Sequence, residues 1–219
     1  MAILKKLLRS WKDHLDCQRG EAFSPVSVIT DTDMKEQGAL LSVWPSICLL
    51  LCKFHVKQCW VNNHKKRKLA GARDLENTEL EETDLAKPVP GSEKNEMAFW
   101  WKVVRKKMRV METLLLDTVT HNAVTAVISN IRTYLNEITK SRVAAHAAEA
   151  GRKHIAYIKR NWMMVSMWES WSKYGRLAVS RLLNIPVEGA IPTTNHLESF
   201  NGVLKQKYLD HWTHSGRRL

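Results

Sequence analysis

Three shortages bound what this chain of 219 residues can be. Cysteine is scarce: Cys17, Cys48, Cys52 and Cys59 are four, unevenly placed and without secretory context, which argues for free thiols over a disulfide framework. Long apolar runs are missing as well. No window approaches the ~20 uninterrupted apolar residues of a membrane span, and the opening MAILKKLLRSW is broken by Lys5, Lys6 and Arg9, so no secretory h-region is expected. Acid is short against base, 22 Asp+Glu to 34 Lys+Arg, for a formal net charge of +12. That balance favours a polyanionic partner, although charge alone does not separate nucleic acid from a membrane surface. Against these shortages, 44% of residues are hydrophobic and nine are tryptophans, enough apolar surface to offset chain entropy over one or two domains. The expectation is a soluble intracellular protein.

Periodicity organises the chain. Leu4, Leu8, Trp11 and Leu15 form the stripe of an amphipathic helix over residues 2 to 15, with Lys5, Lys6, Arg9 and Lys12 on the remaining surface. Cys17 to Pro25 reads as a loop and Val26 to Thr30 as a β-branched strand ending at Asp31. Asp33 with Glu36 three residues later is an Asp variant of the capping box and opens a short helix before Pro45. Ile47 to Cys52 is a continuous apolar run, as expected of a strand buried on both faces. Strand, helix, strand implies a parallel pair with a right-handed crossover. Between His64 and Glu96 composition shifts to a basic cluster, a run of acids, and Pro88, Pro90 and Gly91, the pattern of a flexible insertion. Beyond it come helical stripes, Trp100, Val104, Met108, Met111 and Leu115, then Ile155, Ile158, Trp162 and Val165. A last helix begins near Asn195 and carries Leu197, Phe200, Leu204 and Tyr208 on one face. No internal repeat is present.

Several residue sets could carry chemistry, each with a plainer reading beside it. Asp31 follows a hydrophobic strand directly, and strand carboxyl ends in open α/β sheets are where ligands collect; a simple turn residue is the even alternative. Asp33 is explained as a helix cap. Glu198, three residues after the candidate cap Asn195, reads as a capping box or as a carboxylate facing an active site. Cys52 and His55 have C-x2-H spacing, with Cys48, Cys59 and His64 nearby, so zinc is conceivable, but the second paired half of a structural zinc site is missing. Trp162, Trp168 and Trp171 with Met163, Met164 and Met167 suggest a base-stacking platform or, more commonly, core. Lys102, Arg105, Lys106 and Arg109 make a basic stripe, either a solvated face or a phosphate contact.

Read in order, VITDTDMKEQGALLSVWP, LLLCKFHVKQCW, WESWSKYG and PTTNHLESFNGVLKQKYL resemble the Mutator-like element (MULE) transposases. The resemblance implies a ribonuclease H-like core in which three carboxylates hold two Mg²⁺ or Mn²⁺ ions, with a helical insertion before the last acid. It matches Asp31 to the second catalytic aspartate, Glu198 to the closing glutamate, and Cys52 and His55 to a supporting C-x2-H pair, with Asn195 beside the glutamate. In-line phosphodiester cleavage and strand transfer need such hard oxygen ligands. The family's first aspartate, on strands upstream of the first core helix, has no counterpart here.

The resulting expectation is α/β with a large helical insertion, mostly α by residue count: a partial ribonuclease H-like (DDE transposase) core over 1–62, a flexible charged linker over 63–96, a helical insertion over 97–190 and a core helix over 191–219. The resemblance implies metal-dependent DNA cleavage and strand transfer, with this chain inactive alone. A non-catalytic basic helical module binding DNA or protein is the alternative. Weak, non-specific DNA contacts are expected through Lys65, Lys66, Arg67 and Lys68 and through Lys102, Arg105, Lys106 and Arg109. Self-association is left open, no membrane partner is expected, and the location implied is nuclear, otherwise cytoplasmic. An organelle presequence is disfavoured by Asp13 and Asp16.

Overall fold

The computed structural model describes residues 2–67, 69, 93–140 and 142–189. These form eight α-helices and two strands: α1 (Ala2–Arg19), β1 (Ser27–Thr30), α2 (Met34–Val43), β2 (Cys48–Leu51), α3 (Lys53–Lys66), α4 (Glu93–Leu116), α5 (His121–Glu137), α6 (Arg142–Trp162), α7 (Val165–Trp171) and α8 (Lys173–Leu183). The described residues divide into two units, one holding the chain through Val56 together with the residues from Val179 on, the other Lys57–Ala178.

In the first unit β1 and β2 pair in parallel, Ser27 opposite Cys48 and Thr30 opposite Leu51, with α2 between them in sequence. The strand, helix, strand order expected from the sequence is therefore present. The Cys48 N–H donates to the Val26 carbonyl at 2.9 Å and the Cys52 N–H to the Thr30 carbonyl at 2.8 Å, so the ladder runs slightly past each strand. β2 differs from the expected doubly buried strand: Cys48 and Leu49 are half-buried, and full burial begins at Leu50. Asp33 caps α2, accepting from the Lys35 N–H at 2.8 Å. The core of this unit gathers Leu40, Trp44 and Ile47, with Leu8, Phe23, Val28 and Val43 against them. Trp11, Phe23 and Trp44 meet edge to face with centroids 5.7 to 6.2 Å apart, and the Trp44 indole N–H donates to the Phe23 carbonyl at 3.1 Å.

Helix α1 runs one turn beyond the expected residue 15, so Cys17 is helical and not in a loop. Asp16 accounts for the extension: its carboxylate pairs with Lys12 one turn earlier at 2.5 Å and accepts from the Phe23 N–H at 2.5 Å. Gly20, at φ +68°, then ends the helix while its N–H donates to the Asp16 carbonyl at 3.0 Å.

The second unit is helical throughout its described residues, and α6 packs on both α4 and α5. Gly151 makes that approach close. A Cβ built there would stand 3.0 Å from Val104 Cγ1 and 3.1 to 3.2 Å from the Leu135 methyls, tighter than most side-chain contacts. The expected α4 stripe is buried at Val104, Met108, Met111 and Leu115. On α6 the stripe holds through Ile155, Ile158 and Trp162 but not at Val165, which lies past the helix end and is exposed. The Trp60 ring meets Trp162 and Trp171 edge to face at 5.9 and 5.5 Å, and all three are buried. The tryptophans are core. Their neighbour Met164 is exposed.

The expected linker over 63–96 is corrected at both ends. α3 continues through Lys66 and α4 begins at Glu93; Asn63 and His64 are buried helical residues. The helix carries on because nothing before Lys66 breaks it, and the basic last turn of His64, Lys65 and Lys66 suits the negative end of a helix dipole.

Candidate metal centre and the strand-end carboxylates

Three side chains from three helices of the second unit converge: His64 in the last turn of α3, Glu112 on α4 and His154 on α6. Glu112 Oε1 lies 2.7 Å from His154 Nε2 and 3.0 Å from His64 Nε2, and the two ring nitrogens lie 3.0 Å apart. All three residues are at most 7% exposed. Among the described residues this is the cluster whose His and carboxylate atoms could hold a metal ion together.

The helices place each group for separate reasons. Gly151, one turn before His154, lets α6 close on α4. Glu112 interrupts the apolar row Met108, Met111 and Leu115 and so faces inward with it. Asn63, next to His64, brings its Oδ1 within 3.0 Å of His154 Nδ1. That contact orients the ring, and a neutral His154 that donates to it carries its proton on Nδ1.

Burial alone would raise the Glu112 carboxyl, but its contacts with His154 and then His64 outweigh burial and hold it below the usual carboxylate range. Burial presses His154 below the usual imidazole value; Glu112 works against this, while the charges of His64 and Arg67 add to it. The preferred pair is a carboxylate beside a neutral ring. The arrangement offers two imidazole nitrogens and one carboxylate oxygen to a borderline cation, and little to a hard one that needs all-oxygen ligands.

Of the residues singled out from the sequence, His64, named there beside the C-x2-H pair, belongs to this cluster; the other described ones do not. Asp31 directly follows β1 and is half-buried; its Oδ1 accepts from the Asp33 N–H at 2.6 Å, an Asx turn. Turn residue and strand-end residue are thus the same side chain. Glu36, half-buried beside it, has its pKa raised by burial and further by the charges of Asp31 and Asp33. Cys52 is fully buried at the start of α3, its carbonyl accepting from the Val56 N–H at 3.1 Å, and His55 lies half-buried in the first turn. Glu198, Asn195 and Lys68 lie outside the described residues, and so does the expected meeting of Asp31 with Glu198. Of the three carboxylates that the resemblance implies, the described residues hold Asp31 alone. One carboxylate is not a two-metal set.

Among the basic residues, Lys65, Lys66 and Arg67 are exposed. Lys102, Arg105, Lys106 and Arg109 are half-buried, so the stripe on α4 is not an open solvated face, and the Arg105 Nε–H donates to the Leu69 carbonyl. Sequence reading missed Glu112, His154 and Asn63, and it placed His64 in a linker. The available signal was a lone acid inside an apolar helical row.

No family model, curated protein or solved structure matches the chain.

Proposed function

We propose that this chain is a segment of a MULE-type transposase, with Asp31 and Glu198 supplying two of the three carboxylates that such an enzyme uses in metal-dependent DNA cleavage and strand transfer. One observation carries the reading: Asp31 stands directly at the carboxyl end of β1 in a parallel strand, helix, strand unit, and Cys52 directly follows β2. Strand ends of that kind are where α/β folds assemble their chemistry. The net charge of +12 and the exposed Lys65, Lys66 and Arg67 suit a nucleic-acid partner and, with it, a nuclear location.

On this reading the chain by itself binds duplex DNA weakly and without sequence preference, and does not cut it. Fluorescence anisotropy on a labelled duplex tests the first half: affinity should fall steeply with salt, and charge reversal at Lys65, Lys66 and Arg67 should flatten the slope by roughly one unit for each phosphate left without its cation. An unchanged slope would remove DNA binding from the proposal. A supercoiled-plasmid nicking assay with Mn²⁺ tests the second half. No nicking is expected, whereas nicking abolished by Asp31→Ala would show a chain competent on its own. The alternative, a non-catalytic basic module, gains ground if the chain with Asp31 and Glu198 intact binds DNA yet does not nick it in a longer context that supplies a third carboxylate.

A further inference from the structure

His64 Nε2, Glu112 Oε1 and His154 Nε2 lie 2.7 to 3.0 Å from one another, and each belongs to a residue at most 7% exposed. The shortest edge, Glu112 Oε1 to His154 Nε2 at 2.7 Å, is a charge-assisted distance. A neutral His154 that donates from Nδ1 to Asn63 Oδ1, 3.0 Å away, turns the lone pair of its Nε2 toward the other two atoms.

A single cation could take all three atoms as ligands. We propose that His64 Nε2, Glu112 Oε1 and His154 Nε2 bind one divalent transition-metal ion, zinc in the first place, which staples α3, α4 and α6 together. With edges of 2.7, 3.0 and 3.0 Å, an ion about 2.0–2.1 Å from each atom stands about 1.2 Å off their plane with ligand angles near 90°, roughly. The two rings turn their Nε2 corners toward each other, 3.0 Å apart while their centroids are 4.2 Å apart. Asn63 serves as the outer partner that orients a ligating histidine. The near-complete burial of all three ligands favours a structural ion, the remaining coordination falling to the second Glu112 oxygen or a water. The charge of Arg67, which also acts on His154, opposes the cation and keeps the site weaker than a four-ligand zinc centre. Nothing in this inference depends on the transposase reading.

The test uses the full chain. Metal analysis by mass spectrometry after tag-free purification should find about one zinc per chain, and the chelated, refilled protein should take up one Co²⁺ with visible absorption. X-ray absorption at the zinc edge should show imidazole and oxygen ligands only. His154→Gln should lose the ion, Asn63→Ala should bind Co²⁺ about ten- to a hundredfold more weakly, and a Cys52→Ser, His55→Gln chain should bind at full stoichiometry. A folded chain that takes up neither zinc nor cobalt overturns the proposal. So does sulfur in the zinc shell, or loss of the ion from the Cys52, His55 variant in place of the His154 one. The absorption measurement needs no variant to fold.

Discussion

Two carboxylates removed from open water meet opposite fates in the two units. Glu36 is half-buried beside Asp31 and Asp33, and its pKa is raised; Glu112 is almost wholly buried between two imidazoles, and its pKa is lowered. Burial pushes both the same way. At Glu112 the two imidazoles overturn it, while at Glu36 burial leads, the charges of Asp31 and Asp33 add to it and a hydrogen bond with Thr30 opposes it; the charged partners differ in origin. Those of Glu36 are neighbours within five residues, products of one turn and one helix start. Those of Glu112 come from α3 and α6, brought in by packing. A locally explained acid cluster asks for no further cause, whereas a long-range convergence of three titratable groups in a helical core does.

The sharpest way to break the contrast is Glu112→Ala. Leaving two facing imidazoles without their carboxylate removes a buried charge-assisted hydrogen bond and opens a cavity, and should destabilise the helical unit by about 3 kcal/mol. Urea unfolding followed by circular dichroism reads it. In metal-free protein the sign with pH is also fixed. Glu112 has a depressed folded pKa, so its contribution is full above the ordinary carboxylate value and is lost as pH falls through the folded one; His154, also depressed, contributes fully above the ordinary imidazole value and loses on acidification. Both make acid destabilising. A flat stability profile between neutral and mildly acidic pH would break that half of the comparison.

Next in size is Gly151→Ala. The added methyl meets Val104 and Leu135 at 3.0 to 3.2 Å, an overpacking cost of about 1–3 kcal/mol against a helix-propensity gain of up to about 1 kcal/mol. A net loss seen in the thermal midpoint is expected. A rise would mean that α6 has room to shift, and the close approach would no longer explain how His154 reaches its partners.

The smallest effect should come from Glu36→Gln, with the opposite sign. A raised folded pKa means that the ionised form costs the folded state, a cost that grows as pH rises through the ordinary carboxylate value to the folded one and is constant above it. The substitution should therefore stabilise at neutral pH by less than about 1 kcal/mol, screened because the group is half-exposed, and change little near pH 3. Equal effects at both pH values would show that ionisation of Glu36 is not the cause.

What could be read from the sequence divides along the same line. The capping Asp33, the β-branched strand before Asp31 and the apolar rows on α4 and α6 are signals carried within a few residues, and each is found in the structure. Where they failed, another local contact had won: Asp16, paired to Lys12 and to the Phe23 N–H, carries α1 past the expected end. His64, Glu112 and His154 stand 42 to 90 residues apart, and no local spacing rule spans that distance. The acidic, proline-bearing stretch that follows His64 drew it into a linker on composition, although α3 runs on to Lys66 with His64 buried in it.

The missing Cβ at Gly151 has a last consequence, for the choice of ion. With α6 seated directly on the side chains of α4 and α5, the backbone sets the spacing of the imidazole and carboxylate tips, and long side chains have little slack to add. A larger ion would only stand farther off the same triangle, so the discrimination lies in ligand type and number: two imidazole nitrogens and one carboxylate suit a borderline cation, and packed helices leave little room for the six to eight oxygens that calcium takes. Selectivity would then rest in part on a glycine that touches no metal.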